Sequence, residues 1–270
     1  MDHEIIDFHT HPFTERRNNI CNHIDYCDMS VENTVTYLKS LGISMICGSV
    51  ICSSELHRNT EYYREYRDEW EMVEASNAAA LSLKKKYGDF YVPGFHVHPG
   101  YVQKSCDEIE KMSKQGVRLM GELVPYLHGW TDYSCKEFDE ILDVATEYNM
   151  VVSVHTILER PNEMDAMVKK HPKTVFVAAH PEETGTFRRH LQRMKWSKNY
   201  YLDVSGTGLF RHGMLRHGID EAGAERFLFG SDYPTCNPAM FLGGVLLDTM
   251  ITEKEKKLIL AGNAKRLLGL

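Results

Sequence analysis

The segments Met-Val-Val-Ser-Val-His at residues 150–155 and Thr-Val-Phe-Val-Ala-Ala-His at residues 174–180 decide the fold class of this chain. Each is a short run of mostly apolar and β-branched residues, and each ends in a histidine. Such runs are typical of strands in a parallel sheet that is covered by helices. They predict buried parallel strands, each with a polar side chain at its carboxyl end.

Six further segments of similar character occur along the chain, and helical patterns separate them. The eight predicted strands are residues 4–9, 43–51, 90–96, 116–122, 150–155, 174–180, 200–205 and 226–231. Eight strands that alternate with helices predict an α/β fold, a single (β/α)8 TIM-like barrel. The chain shows no internal repeat, linker-like tract or shift in composition, so we expect one domain over residues 1–270.

One helical pattern is longer than the strand–helix repeat requires. Residues 60–87 form a charged pattern with an aromatic and apolar stripe on one side, and Gly88 is a suitable end for a helix. We therefore expect a helical insertion at about residues 55–88. Its stripe, which includes Tyr63, Tyr66 and Trp70, either packs on the barrel or forms a contact within a homo-oligomer.

Composition and charge exclude several classes of protein. With 43% hydrophobic and 26% charged residues the chain can form a sizeable core, and its net charge of −7 argues against a nucleic-acid partner. No apolar run approaches the roughly 18 residues that a membrane span needs. We expect a small-molecule partner and no membrane partner. Seven scattered cysteines without a Cys-x-x-Cys pair, and the absence of a signal sequence, predict free thiols and a cytoplasmic location.

Histidine is frequent in this chain, with 14 residues, and two of the histidines lie where the first strand ends. Side chains alternate along a strand, so Asp7, His9 and His11 point to the same side. Two converging imidazoles are suited to binding a divalent cation such as Zn²⁺. We expect His9 and His11 to be ligands and Asp7 to orient one of the imidazole rings.

Further ligand-type side chains lie at the carboxyl ends of other predicted strands, where TIM-barrel enzymes place their active sites. They are Glu122 on strand 4, His155 on strand 5, His180 on strand 6 and Asp232 on strand 8. The intervals between them correspond to one, one and two strand–helix units. Together with His9 and His11 they predict a metal centre of six side chains.

Other polar residues near this end of the barrel are candidates for binding a substrate. They are His98, Tyr126, His128 and Arg160, and His96 is a further candidate for lining the pocket. Arg160 follows His155 closely and is suited to binding an anionic group through two parallel hydrogen bonds. For each of these residues, an ordinary place in a solvated loop is the alternative.

Several pieces of the sequence resemble the amidohydrolase superfamily, specifically its amidohydrolase 2 branch of metal-dependent hydrolases and decarboxylases. These pieces are Ile-Ile-Asp-Phe-His-Thr-His at 5–11, Val-Ser-Val-His at 152–155, His-Pro at 180–181, Phe-Gly-Ser-Asp-Tyr-Pro at 229–234 and Gly-Asn-Ala-Lys-Arg-Leu-Leu at 262–268. The resemblance covers nearly the whole chain. It implies that His9, His11 and Asp232 bind a first metal ion, and that His155 is the next ligand.

The resemblance leaves the number of metal ions open. In single-metal members the residue that corresponds to His180 is usually catalytic or polarises the substrate, whereas in two-metal members it binds the second ion. Glu122 departs from the simplest single-metal pattern and resembles the bridging glutamate of the metal-dependent deoxyribonuclease branch. We therefore expect one or two divalent ions, with Zn²⁺ as the first choice and Mn²⁺ as the alternative.

These residues and the resemblance predict an enzyme, a metal-dependent hydrolase that cleaves an amide, lactone or other ester bond of a small molecule. Metal binding lowers the pKa of a water molecule toward about 7. Asp232 is expected to accept its proton, and either the metal ion or His180 to polarise the substrate carbonyl. The alternatives are a decarboxylase of an aromatic or unsaturated carboxylic acid, a phosphoester hydrolase, and a barrel that binds metal without catalysis.

Overall fold

A computed structural model describes residues 3–21, 30–208 and 211–270 of this chain. Within them, eight parallel strands pair in chain order into one sheet, from β1 to β8. The strands are β1 Ile6–Thr10, β2 Met45–Ser49, β3 Tyr91–Phe95, β4 Leu119–Leu123, β5 Val151–Val154, β6 Val175–Ala178, β7 Tyr200–Asp203 and β8 Phe227–Leu228. Each strand overlaps its predicted segment, and the predicted (β/α)8 barrel is confirmed.

Helices alternate with the strands and cover the sheet. They are α1 Val31–Ser40, α2 Glu69–Tyr87, α3 Val102–Lys114, α4 Lys136–Glu147, α5 Pro161–Lys170, α6 Thr184–Trp196, α7 Met214–Ala222, α8 Pro238–Leu246, α9 Glu253–Lys257 and α10 Asn263–Leu268. In α4, Phe138, Ile141 and Leu142 recur at helical spacing and are buried, which explains why this segment packs as an amphipathic helix. No helix in the described ranges is long and apolar enough to cross a membrane.

The barrel closes through the residues that follow β8, because β8 itself is only two residues long. The backbone N–H of Phe8 donates to the carbonyl of Phe229 at 2.9 Å, and that of Asp232 donates to the carbonyl of His9 at 2.8 Å. These bonds hold the first strand beside the last one. They bring the strand end that carries His9 next to Asp232.

A buried carboxylate strengthens the same junction. Asp7 accepts hydrogen bonds from the backbone N–H of Ser231 at 2.9 Å and from its hydroxyl at 2.6 Å. Burial raises the pKa of Asp7 to about 7, although the hydrogen bonds from Ser231 oppose this rise. Asp7 therefore joins β1 to the residues after β8, and the prediction that it orients an imidazole ring is wrong.

The helix of the segment predicted at residues 55–88 is α2, which connects β2 to β3. It begins at Glu69, because the Asp68 side chain accepts a hydrogen bond from the N–H of Glu71 at 2.8 Å and caps the helix there. Residues 60–68 form turns and loop, so the helix is shorter than its predicted range of 60–87. Tyr66 and Trp70 are buried, which favours packing of this part of the stripe on the barrel, whereas Tyr63 is exposed.

Two buried histidines lie between α2 and the barrel. The ring centroids of His96 and His128 are 4.4 Å apart, and the Nε2 of His96 lies within hydrogen-bond distance, 3.1 Å, of the carbonyl of Val50. Burial lowers the pKa of His128 to about 3. Burial and the neighbouring His128 hold the pKa of His96 well below its ordinary value. Both rings are therefore neutral in the folded protein at neutral pH.

We expect the free energy of unfolding of the metal-free protein to fall as the pH decreases from 6.5 toward 3, because His128 binds a proton readily only after unfolding. One such group contributes a slope of about 1.4 kcal/mol per pH unit. His128→Gln should make the measured slope shallower by that amount in urea unfolding experiments. The same substitution at the exposed His212 is the control. Equal slopes for His128→Gln and the original protein would contradict the expectation.

Candidate metal centre

The carboxyl ends of five strands bring together the six ligand-type side chains that the sequence predicts. They are His9 in β1 and His11 just after it, Glu122 in β4, His155 after β5, His180 after β6 and Asp232 after β8. Parallel strands of a barrel end at the same face, so residues that are distant in sequence meet there. All six except His155 are buried.

Four of these side chains present donor atoms to a common point. The Nε2 atoms of His9 and His11 are 3.2 Å apart, and the Oε2 of Glu122 lies 3.1 and 3.0 Å from them. The Oδ1 of Asp232 lies 3.6 Å from His9 Nε2 and 3.7 Å from His11 Nε2. Imidazole nitrogens and carboxylate oxygens in this number suit a divalent ion. We name these four residues the first donor set.

The other oxygen of Glu122 faces a different pair of histidines. Its Oε1 lies 3.1 Å from the Nδ1 of His155 and 3.6 Å from the Nε2 of His180. The two rings have centroids 5.0 Å apart. We name His155, His180 and this oxygen the second donor set. One carboxylate thus contributes one oxygen to each set.

The charges of the centre favour a cation. Burial would raise the pKa of Glu122, but His9, His11 and His155 outweigh it and hold this pKa well below its usual range. Burial likewise opposes a charged His9, but Glu122 and Asp203 hold its pKa well above the ordinary value. In the described chain, the ion-pair partners of Glu122 and Asp232 are histidines. A divalent ion fits here, since it would replace the proton that His9 otherwise carries.

The far sides of the imidazole rings are held by groups that leave Nε2 available. The Nδ1 of His11 is 3.1 Å from the carbonyl of Ser49, and the Nδ1 of His9 is 2.8 Å from the Oδ2 of Asp203. A hydrogen bond on one ring nitrogen leaves the lone pair of the other nitrogen free for a metal. Asp203 is missing from the predicted centre, although it ends the seventh strand. The sequence does contain a signal for this residue, since the polar residues Asp203 and Ser205 lie two positions apart at the end of that strand.

A cleft of about 350 Å³ opens beside the second donor set. Its lining includes Tyr126, His155, Ile157, Leu158, Arg160 and Glu182. The side chain of His155 is 24% exposed, compared with 11% for Asp232 and 3% for Glu122. A small molecule therefore reaches the centre from the side of His155.

The loops that follow β1, β2 and β4 pack on one another at the end of the barrel that holds the centre. Ile51 and Leu56, from the segment between β2 and α2, pack with Val124 in a small apolar cluster. The Nε2 of His57 lies 2.7 Å from the carbonyl of Asn19, which ties this segment to the loop after β1. His9 and His11, which lie at this end of the barrel, are each only 2% exposed.

The structure brings two of the predicted substrate-binding residues to the cleft. Tyr126 is 56% exposed, and its ring centroid lies 5.6 Å from that of His155. Arg160 lines the cleft, and its guanidinium group donates to the carboxylate of Glu163 at 2.7 Å and to the carbonyl of Thr131. The guanidinium is therefore already engaged in part by the protein.

The other two predicted residues lie behind the cleft. His98 has both ring nitrogens engaged, because Nδ1 accepts from the N–H of Gly100 at 2.9 Å and Nε2 lies 3.0 Å from the carbonyl of His128. His128 is 1% exposed and packs on His96, away from the residues that line the cleft. The three rings support the loops around the site, and burial in the packed layer beside α2 keeps them from a molecule in the cleft.

Comparisons with known proteins agree with this architecture. A family model described as Amidohydrolase matches residues 6–270. No curated protein matches the chain. A 2,6-dihydroxybenzoate decarboxylase complexed with 2,6-dihydroxybenzoate is similar in structure, with 14% identity, a TM-score of 0.72 and coverage of 100% of both chains.

Two further solved structures are similar over almost their whole length. An uncharacterized TIM-barrel protein from Bordetella bronchiseptica is 19% identical, with a TM-score of 0.73 and 98% of each chain covered. A dihydroxybenzoic acid decarboxylase from Polaromonas sp. JS666, with bound manganese and the inhibitor 2-nitroresorcinol, is 16% identical, with a TM-score of 0.70 and coverage of 100% of this chain and 98% of that one. At these identities the likeness shows the fold. Because the family model matches nearly every residue from the first strand to the end, this chain belongs to the amidohydrolase family.

Proposed function

We propose that this protein is a metal-dependent hydrolase that uses two divalent ions to cleave an amide, lactone or other ester bond of a small molecule. One observation carries the proposal. The Oε2 of Glu122 lies beside His9 and His11, while its Oε1 lies beside His155. A carboxylate that gives one oxygen to each of two ions would divide its oxygens in this way. Zn²⁺ suits the imidazole-rich donors, and Mn²⁺ suits the carboxylates.

Individual residues of the centre then have separate roles in the reaction. Divalent ions bound here would lower the pKa of water toward about 7 and polarise a carbonyl group. Asp232 is part of the first donor set and is 7% exposed. From this position its carboxylate can take a proton from water and return it to the leaving group. His180 supplies its Nε2 to the second donor set, next to the cleft. Buried walls on the side of His9 and His11 exclude bulk water.

The cleft indicates which part of a substrate binds where. Ile157 and Leu158 supply apolar surface, and Tyr126 supplies an exposed aromatic ring next to His155. Arg160 lies further along the same wall and offers hydrogen bonds to an anionic or carbonyl group. We infer that the bond to be cleaved lies at the second donor set, and that the rest of the molecule extends along this wall.

Decarboxylation of an aromatic or unsaturated carboxylic acid is the second candidate, and the comparisons with named function favour it over hydrolysis. Two of the similar structures are dihydroxybenzoic acid decarboxylases, and one of these contains manganese. The placement of Glu122 favours hydrolysis, since a single ion would need only one of its two oxygens. Phosphoester hydrolysis draws no support from these comparisons.

The metal content separates these candidates. We expect two ions per chain in the original protein and at most one in Glu122→Gln, because the neutral amide cannot bridge two cations. Elemental analysis after equilibrium dialysis against Zn²⁺ or Mn²⁺ measures this number. Glu108→Gln is the matched control, since Glu108 is also buried and bonds to Asn77 and Lys111 outside the centre. One ion in the original protein would favour the decarboxylase.

The reaction itself is tested with two substrate panels. We expect cleavage of small lactones, esters or amides and no CO₂ release from dihydroxybenzoic acids. Asp232→Asn should lower kcat by about 10²- to 10⁴-fold, because it removes the group that accepts the proton. Asp107→Asn, on an exposed position of α3, should leave kcat unchanged. Metal-dependent CO₂ release without hydrolysis would overturn the proposal in favour of the second candidate.

A substitution of the exposed aromatic residue tests whether the substrate contacts this wall of the cleft. Tyr126→Ala should raise KM about tenfold, since losing a stacked aromatic contact costs about 1 kcal/mol or slightly more, while kcat changes less. The control is Tyr63→Ala, because Tyr63 is also exposed, at 41%, and does not line this cleft. Steady-state kinetics on the cleaved substrate provide both constants. Equal KM values for the two variants would show that the substrate does not extend along this wall.

A further inference from the structure

One buried carboxylate contacts a histidine from each donor set. Asp203, at the end of β7, has no exposed surface. Its Oδ2 lies 2.8 Å from the Nδ1 of His9. Its Oδ1 accepts from the hydroxyl of Ser205 at 2.5 Å, and that hydroxyl oxygen lies 3.0 Å from the Nδ1 of His180. The backbone N–H of His180 also donates to Oδ1, at 3.3 Å. A continuous hydrogen-bond network therefore links the two donor sets behind the metal-facing atoms.

The network fixes the protons of both rings. When the Nε2 of His9 is not protonated, the ring carries its one N–H on Nδ1, where it donates to the Asp203 carboxylate. The single O–H of Ser205 is donated to Asp203, so Ser205 Oγ accepts from Nδ1 of His180. Each ring therefore presents the lone pair of Nε2 to its donor set, which is the form that binds a metal ion.

The same atoms do not form a third ion site. A ring nitrogen of His9, a ring nitrogen of His180 and a carboxylate oxygen of Asp203 lie within 4.8 Å of one another, as metal donors would. However, the Oγ of Ser205 lies among them, 3.0 Å from the Nδ1 of His9 and 3.0 Å from that of His180. The hydroxyl takes the central place, where it donates to Asp203 and accepts from His180, while His9 bonds directly to Asp203.

Two glycines allow this close approach. A Cβ atom on Gly206 would lie 2.2 Å from the Nδ1 of His180, and one on Gly230 would lie 2.8 Å from the Cβ of His9. Either side chain would displace a ring from its partner. The backbone thus packs directly against both imidazoles, and the network sets the position of their protons.

We propose that Asp203 and Ser205 are positioning residues that prepare His9 and His180 together and so couple metal binding at the two donor sets. This inference rests on the proposed two-ion function. Asp203 acts on both sets, because it holds His9 directly and His180 through Ser205 and the backbone. Ser205 acts mainly on the second set, because His9 keeps its direct bond to Asp203 when the hydroxyl is removed.

Titration of the metal-free protein with Mn²⁺ tests the coupling. We expect Asp203→Asn to weaken binding at both sites by about 10- to 100-fold, the usual effect of losing a partner of a metal-bound histidine. Ser205→Ala should weaken the second site by about tenfold and the first by much less. Asp139→Asn is the matched control for the carboxylate, since Asp139 bonds to His171 at 2.9 Å outside the centre. Ser105→Ala is the control for a buried serine, because Ser105 bonds only to the His98 backbone in the described structure.

Nitrogen-15 NMR of the metal-free protein at alkaline pH reports which ring nitrogen carries the proton. A purely structural role of Ser205 would leave this unchanged. We expect His180 to carry its proton on Nδ1, and Ser205→Ala to shift this ring toward a mixture of tautomers. A folded Asp203→Asn variant that binds both ions like the original protein would overturn the inference. If Asp203→Asn does not fold, unchanged metal affinity and tautomers in Ser205→Ala would overturn it. An original protein that binds fewer than two ions contradicts the proposed function instead, and the tautomers still decide the inference.

Discussion

The buried negative charge of Glu122 is the constraint on which the centre depends. A carboxylate with 3% exposure is costly unless cationic or hydrogen-bonding groups surround it. Here imidazoles from three other strands provide them, and an imidazole can lose a proton and bind a metal ion instead. A lysine or arginine in the same place would keep its positive charge and exclude the ion. The choice of histidine therefore makes one arrangement stable without metal and competent to bind it.

The residues at the strand ends decide which reaction a protein of this fold catalyses, because the barrel itself is common to enzymes with different reactions. The similar structures include decarboxylases, and the family match extends over nearly the whole chain. Under the proposed function, the number of ions that Glu122 serves distinguishes hydrolysis from decarboxylation in this protein. Packing then sets the direction of access, since His9 is buried and His155 faces the cleft.

The barrel and most of the centre could be predicted from the sequence because they depend on local patterns. Apolar runs such as residues 150–154 identify buried strands, and side-chain alternation shows that His9 and His11 share a side. Because parallel strands of a barrel end at one face, polar residues at those ends meet. The positions of Glu122 and Asp232 follow from this rule alone. The start of α2 at Glu69 was less predictable, since a capping aspartate competes with an apolar stripe that continues upstream.

The sequence by itself thus determined the fold class and the residues that meet at the strand ends. Only the tertiary structure decided the partners of each side chain. Alternation places Asp7 on the same side as His9, but the pairing of β1 with the residues after β8 directs it to Ser231, while Asp203 reaches the imidazole. Likewise the packing of α2 buries His128 behind the cleft. The physical reason is that a strand pattern fixes the direction of a side chain, whereas the relative shift of neighbouring strands and the packing of loops fix what it touches.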